Sequence, residues 1–274
     1  MDEHRFVFVG GLHRSGTTLL ADLIADHPEV SGLSGTGVPM NEGQFLQGVY
    51  PPAWTKRTLW PIRYLRPVSP RVLSHRGYGG PGRFVFDPGS HLTEESPLAT
   101  RKNAETVFEA WAPYLDLDRP ILIEKSPPNL LRTRFLQALY PTSSFIIVMR
   151  HPVAVSYATR PWTRIRPLYF LFKHWVLGYE MFATDAPHLN RLLVLKYEDL
   201  VSDPEETMRH VFRFLEVPSV DIQRKIAKDA NRKYFDRWNK EIMGSRIRRR
   251  YADFLHERFA SKFAKYGYSL EGPL

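Results

Sequence analysis

The sequence predicts an α/β fold: a parallel β-sheet flanked by helices on both faces, opening on a P-loop-like nucleotide-binding segment. It predicts a single domain over residues 1–274 with a large helical and loop insertion at 27–100. Three observations carry this reading. Short apolar runs of strand length alternate with helical patterns along most of the chain. One run, SFIIVM at 144–149, is apolar throughout, as a strand covered on both faces would be. The first run empties into a glycine-bounded turn that leads straight into a helix, the arrangement that cradles phosphate.

In chain order, Phe6, Val7, Phe8 and Val9 form the first strand, rich in aromatic and β-branched residues. Gly10 and Gly11 follow, then a turn ending at Gly16. Leu19, Leu20, Leu23 and Ile24 mark the buried side of the helix after it. Residues 27–100 are rich in Gly, Pro and Ser with little periodicity, too long for an idle loop; short helices and the wall of a binding site are expected there. Within them, 56–82 is basic and Pro/Gly-rich and reads as a mobile lid. A helix is expected at 103–114 through Val107, Phe108 and Trp111, a strand at 120–124, a helix at 129–140, the strand at 144–149, a helix at 168–183 and a strand at 191–196. Asp203-Pro204-Glu205-Glu206 is a helix start, with Asp203 as cap, Pro204 at the first position and Glu206 completing a capping box. A last helix at about 248–263 packs through Phe254, Leu255 and Phe259. Tyr234 and Trp238 stand at helical spacing and, with Trp162, read as packing residues.

Composition narrows the function. Of 274 residues 43% are hydrophobic, enough for a substantial core, yet no stretch approaches ~18 uncharged apolar residues, so no transmembrane segment is expected. The charged Asp2, Glu3, His4 and Arg5 lead directly into the first strand, which argues against a signal peptide. The chain has no cysteine, which excludes disulfides and thiolate metal sites, and a cytoplasmic location is expected. Net charge is +9, a surplus that draws anions: nucleic acid, an anionic membrane surface or a highly charged small molecule. Basic clusters fall at 56–83, 160–166, 224–240 and 246–250. Arg246, Arg248, Arg249 and Arg250 look most like a nucleic-acid patch, and equally like a solvated helix face.

The chemistry gathers at strand ends. The loop Gly11-Leu12-His13-Arg14-Ser15-Gly16-Thr17-Thr18 has the glycine spacing of a phosphate loop, but Thr17 and Thr18 stand where nucleoside triphosphatases place Lys and Ser/Thr. Its cation lies inside the loop, at Arg14. The other ends are Glu124-Lys125-Ser126-Pro127 and Arg150-His151-Pro152. In a parallel sheet these ends share one edge, so Arg14, Lys125 and Arg150 converge on one crevice and ask for a ligand of several negative charges. Triphosphatases keep an acidic residue near such a strand end to hold Mg²⁺; here Arg150 occupies the position, and metal-free chemistry is expected. His13 and His151 read as solvent-facing, backbone-bonded or turn residues.

Four segments in order carry a resemblance. GGLHRSGTT at 10–18, EKSP at 124–127, FIIVMRHPVAVS at 145–156 and LKYEDLVSDP at 195–204, with FAKYGY at 263–268, resemble the sulfotransferase family, closest to its bacterial and tyrosylprotein branch. The likeness covers most of the chain outside 50–100. It implies a donor, 3′-phosphoadenosine-5′-phosphosulfate, no metal, and a hydroxyl acceptor that is a small molecule, glycan or peptide rather than nucleic acid. By the resemblance, the loop (Gly11, His13, Arg14, Ser15, Gly16, Thr17, Thr18) holds the 5′-phosphosulfate, Arg150 and Ser156 the 3′-phosphate, Tyr197 lies near the nucleotide, and Lys125 stabilises charge at the reacting group. Arg150 and Ser156 stand six positions apart where the family more often has eight, which leaves Arg150 as the principal ligand.

Sulfuryl transfer needs positioning and cationic stabilisation of a departing oxyanion, which Arg14 and Lys125 can supply. It also needs a base for the acceptor hydroxyl. Glu42 is the candidate, in the loop region where the tyrosylprotein branch keeps its glutamate; His91 and Glu94 are alternatives. Two other functions compete with this reading: a P-loop kinase or NTPase-like phosphotransferase, disfavoured by the loop, and a basic nucleic-acid-binding protein.

Overall fold

The computed structural model describes residues 1–53, 79–163 and 166–271. Strands β1 (Arg5–Gly11), β2 (Val30–Gly32), β3 (Ile121–Lys125), β4 (Ser144–Met149) and β5 (Leu192–Lys196) form one sheet in the order β2-β3-β1-β4-β5, with every pairing parallel. The register aligns their ends: Val9 pairs with Lys125 on one side and Ile146 on the other, and Gly11 pairs with Val148. The carboxyl ends of β1, β3 and β4 therefore open on a common edge.

The helices are α1 (Thr17–Ala25), α2 (Arg101–Trp111), α3 (Thr133–Leu139), α4 (Pro152–Thr159), α5 (Leu168–Asp185), α6 (Tyr197–Ser202), α7 (Pro204–Leu215), α8 (Arg232–Met243) and α9 (Arg246–Ala264). Strand alternation sorts the core. Val7, Val9, Ile146 and Val148 point to one face and pack with Leu20, Ile24, Leu200, Met208 and Phe212 from α1, α6 and α7. Phe6, Phe8, Leu122 and Phe145 point to the other, against Val107, Trp111, Phe135 and Tyr140. Toward the carboxyl edge on that second face, Ile147 and Met149 meet α4, α5, α8 and α9 through Val153, Phe172, Trp175, Tyr234, Trp238 and Phe259. Both faces of the central strands are thus covered, which is why their sequences are apolar without alternation. Among the described residues no helix is long and apolar enough to cross a membrane.

Several expectations are corrected. The stretch 129–140 is not one helix. Pro127–Leu131 forms a 3₁₀ turn, Arg132 leaves helical geometry at φ −133°, and α3 then starts at Thr133. Phe254 does not pack in the core; it is 39% exposed, while Leu255 and Phe259 are buried. Only half of the capping box forms: Asp203 accepts from the Glu206 N–H (3.1 Å), but the Glu206 carboxylate turns to Arg209 and the Asp203 N–H bonds the Asp199 carbonyl. The strand β2 and the short α6 carry too few residues for a periodic signal. The insertion contains 3₁₀ turns at Pro39–Asn41, Gly43–Phe45, Phe84–Phe86 and Pro88–Ser90. The expected lid at 56–82 falls mostly outside the described residues.

Candidate active site

The loop between β1 and α1 makes two left-handed steps, at Arg14 (φ 72°) and Gly16 (φ 100°). Gly16 is required on two counts. Its backbone lies where L side chains are strained, and a Cβ there would overlap the Tyr197 ring, 2.8 Å from Cε2. The loop is braced from below: the Ser15 N–H bonds the Leu12 carbonyl (3.0 Å), and Ser15 Oγ meets the Tyr179 hydroxyl (3.5 Å), which itself bonds the Val148 carbonyl (3.0 Å). α1 starts without a side-chain cap, and among the described residues no acceptor meets the N–H groups of Gly16, Thr17 or Thr18. Those donors, at the positive end of a helix, are suited to an anion.

Arg150, at the end of β4, is buried, and its direct partners are neutral. Nε donates to Asn231 Oδ1 (2.8 Å), Nη1 to the Arg14 carbonyl (2.9 Å) and Nη2 to the Ala230 carbonyl (3.4 Å). Its guanidinium carbon lies 4.0 Å from the Tyr197 ring centroid and 5.5 Å from that of Tyr234. Burial draws the Arg150 pKa down, against the nearby Tyr197, Tyr234 and Glu198; the group stays cationic at any physiological pH. Glu198 stands one step behind. It accepts from Asn231 Nδ2 (2.6 Å), the His151 N–H (3.0 Å) and the Tyr268 hydroxyl (3.0 Å). His151 lies in the turn between β4 and α4, buried, and caps α4, accepting from the Val153 N–H (3.2 Å) and donating Nε2–H to the Ser269 carbonyl (2.8 Å). Burial pulls its pKa down to about 4. The Ser156 hydroxyl is buried and has no partner among the described residues.

Lys125, at the end of β3, is buried with its ammonium 3.1 Å from the Met40 carbonyl and 3.5 Å from Glu42 Oε1. Glu42 is buried too, and Gln44 Nε2 donates to its other oxygen (2.5 Å). Burial raises the Glu42 carboxyl above the ordinary range, opposed by the Lys125 charge and the Gln44 bond. The fold thus holds a carboxyl raised by burial beside a buried cation.

What presents Glu42 is the peptide that follows it. The Gly43 N–H donates to Glu124 Oε1 (2.9 Å) and its carbonyl accepts from Trp111 Nε1 (3.0 Å). Only glycine fits between them: a Cβ at Gly43 would stand 2.7 Å from Glu124 Cγ and 2.8 Å from Trp111 Nε1. Glu124 also accepts from Ser126 Oγ (2.6 Å) and Asn129 Nδ2 (2.7 Å), and Ser126 Oγ accepts from the Gln44 N–H (3.3 Å). The end of β3 thus holds Glu42-Gly43-Gln44 from behind while presenting Lys125 in front. A cavity of about 220 Å³ adjoins Lys125, lined also by Asp22, Met40, Asn41 and Arg224.

Sequence reasoning missed Glu124, Gln44, Asn231 and Glu198; two of them had a signal, Glu124 standing next to Lys125 in EKSP and Glu198 next to Tyr197 in LKYEDLVSDP. The His13 ring is half-buried and makes no backbone hydrogen bond among the described residues. It sits edge-on to Phe84 at 5.3 Å with Nδ1 buried and unpartnered, its pKa pulled down to about 3 by burial, with the Lys125 and Arg14 charges adding. The Arg14 side chain is exposed, 6.0 Å from the Trp162 ring, and Trp162 is 46% exposed. His91 and Glu94 are not brought to Lys125. His91 bonds Asp185 (2.8 Å) at the far end of α5, and Glu94 pairs with Arg134. Trp175, ten positions earlier on α5, is what reaches the Arg150 carbonyl (2.9 Å).

The model of the sulfotransferase family matches residues 7–221, a span that contains the loop, Glu42, Lys125, Arg150, Ser156 and Tyr197. The chain belongs to the sulfotransferase family. Sulfuryl transfer is therefore its chemistry, and it is a transferase. Two solved structures are similar to this sulfotransferase in fold. The sulfotransferase domain from the Synechococcus PCC 7002 olefin synthase shares 18% identity over 84% of this chain and 86% of that chain, with a TM-score of 0.50. Sulfotransferase STF9 from Mycobacterium avium shares 14% identity over 99% of this chain and 79% of that chain, with a TM-score of 0.53. At such identities the likeness is one of fold. Comparison with curated protein sequences finds no match.

Proposed function

We propose that this enzyme moves a sulfuryl group from 3′-phosphoadenosine-5′-phosphosulfate to the hydroxyl of a small-molecule, glycan or peptide acceptor, in line and without a metal. The observation that carries the proposal is the buried Glu42–Lys125 pair on the same sheet edge as the loop with its unpaired N–H groups. The donor fits what the residues offer. Arg150 is a buried cation with neutral partners and the Ser156 hydroxyl is a buried group without one among the described residues, the provision a 3′-phosphate needs. Gly11, Ser15, Gly16, Thr17 and Thr18 line the position for the 5′-phosphosulfate, with Tyr197 against Gly16.

When bound, the donor supplies a sulfuryl group on a phosphate leaving group. The residues here do the rest. Glu42 takes the proton from the acceptor oxygen as that oxygen bonds to sulfur. Lys125 and Arg14 offset the charge that passes to the phosphate oxygen as its bond to sulfur breaks. His13, neutral between two cations, adds no charge to the pocket. A phosphotransferase would want a lysine after Gly16, where Thr17 stands. A cytoplasmic location rests on the chain's lack of cysteine.

The test is transfer of labelled sulfate from the donor to pooled acceptors. Glu42→Gln should lower turnover ~10²-fold or more, while adenosine 3′,5′-bisphosphate still raises the melting temperature of both proteins. Activity should survive EDTA. Equal turnover in Glu42→Gln removes Glu42 as base, and no melting shift with the bisphosphate in the parent removes the donor.

A further inference from the structure

Helix α9 carries two apolar stripes. Ala252, Leu255, Phe259 and Phe263 are buried against the rest of the fold. Ile247, Tyr251 and Phe254, spaced i, i+4, i+7, form a second stripe that faces water, and Ile247 is 80% exposed. The second stripe continues onto the start of α5. The Tyr169 ring stacks on Phe254 (5.8 Å between centroids), the Tyr169 N–H donates to the Tyr251 hydroxyl (3.0 Å), and the neighbouring Phe170 is 45% exposed. A contiguous apolar patch of this kind on a soluble surface marks a contact.

Its surroundings are basic. Arg246, Arg250 and Arg258 are exposed on the side of α9 that carries the stripe, and none takes part in an ion pair among the described residues. The Arg258 guanidinium lies 5.9 Å from the Phe254 ring. Beside Phe170 a cavity of about 560 Å³ is lined by Arg83, Lys173 and Phe86, with Asp87 as its acid. Asp253 and Glu257 are the acids of α9 near the stripe, fewer than its arginines.

We propose that this face docks on an anionic bilayer surface, with Ile247, Tyr251, Phe254 and Phe170 entering the headgroup boundary and the arginines reaching lipid phosphates. Aliphatic and aromatic side chains ringed by snorkelling cations are the composition of an interfacial helix. A second copy of the chain fits worse, because a two-fold contact through this stripe would set arginine clusters against each other. Nucleic acid also fits worse: bases stack on aromatic faces, and an isoleucine at the most exposed point contributes nothing to that.

The test is co-sedimentation of the full chain with phosphatidylcholine vesicles, with and without phosphatidylglycerol. The parent should pellet with the anionic vesicles only, and salt should release it. The triple variant Arg246→Gln, Arg250→Gln, Arg258→Gln should partition about a hundredfold more weakly, at roughly fivefold per arginine, and Ile247→Ser about tenfold. These side chains are exposed, so both variants should keep the parent's melting temperature and its shift with adenosine 3′,5′-bisphosphate; that readout separates a failed docking surface from a failed donor site. The proposal is overturned if the parent ignores anionic vesicles, or if the triple variant pellets as the parent does. It is also overturned by a dimer that Ile247→Ser dissociates, or by tighter retention of a single-stranded RNA oligonucleotide than of the vesicle.

Discussion

Glu124→Gln should slow the enzyme without weakening its grip on the donor. In the parent every partner of the Glu124 carboxylate is a donor: the Gly43 N–H, Ser126 Oγ and Asn129 Nδ2, at 2.9, 2.6 and 2.7 Å. An amide can accept from Gly43 and Ser126 only by turning its own NH₂ toward Asn129 Nδ2. Turned the other way, it sets two donors against Gly43 and Ser126. One bond to a charged acceptor is lost in either case and a buried donor is left facing a donor, at about 2–3 kcal/mol. For a chain of this size that is a fall of roughly 3–6 °C in melting temperature. If the Gly43 peptide shifts, Glu42 moves against Lys125, and a displacement of about 1 Å at a reacting group costs up to ~10² in rate. The assay is steady-state sulfate transfer well below the variant's melting temperature, with bisphosphate affinity from calorimetry. The expected result is a kcat lowered ten- to a hundredfold with donor affinity within about twofold. A folded variant with the parent's kcat would refute Glu124 as the residue that positions Glu42.

Three further outcomes are expected. Arg150→Lys keeps the charge but cannot reproduce the guanidinium's bonds to Asn231 and the Arg14 carbonyl, so bisphosphate affinity measured by calorimetry should fall ~10-fold or more. Gly16→Ala should abolish the bisphosphate-induced melting shift, and the double variant with Tyr197→Ala should not restore it, because relief of the ring contact leaves the left-handed backbone at φ 100°. His174 lies edge-on between Phe84 and Phe86 with Nε2 unpartnered, and burial pulls its pKa down to about 3. As pH falls below 6.5 the unfolded chain takes up a proton there that the folded chain refuses. Stability is therefore lost on acidification, by about 2 kcal/mol at pH 5. His174→Phe should accordingly gain about 2 kcal/mol on the parent at pH 5 relative to pH 7.5 in paired urea melts, a comparison that cancels the raised carboxyls of Glu42 and Glu124; an equal difference at both pH values would contradict it.

The parts of this fold that could be read in advance are those whose signal is local. Phe6 to Val9 and the run at 144–149 are apolar on both faces because both faces are covered, and Gly16 marks a backbone step that other residues resist. Lys125 and Arg150 follow from topology, since parallel strands end on one edge. The rest depends on pairings remote in sequence. Glu124 meets Gly43 across 81 positions and Arg150 meets Asn231 across 81, and no local pattern announces either. Periodicity failed on α9 for a different reason: two apolar stripes run side by side, so adjacent residues such as Phe254 and Leu255 look alike in sequence and end on opposite sides of the solvent boundary. His91 and Glu94 were plausible bases by residue type, and their pairing with Asp185 and Arg134 is invisible until the chain is folded.

The two halves of the site are supported by different parts of the molecule, and this bears on how they respond to change. The Glu42–Lys125 side is fastened by the end of β3 and by α2 through Trp111. The Arg150 side is fastened by Asn231 at the start of α8, by Glu198 in α6, and through Glu198 and His151 by Tyr268 and Ser269 near the carboxyl terminus. A cation as buried as Arg150 would be costly alone; the described residues around it carry neutral dipoles directly and one carboxylate at a remove. That arrangement holds the guanidinium in place without neutralising it, leaving its field available to an incoming anion. On the proposed reading a direct carboxylate partner would cancel that charge and weaken the hold on an anion.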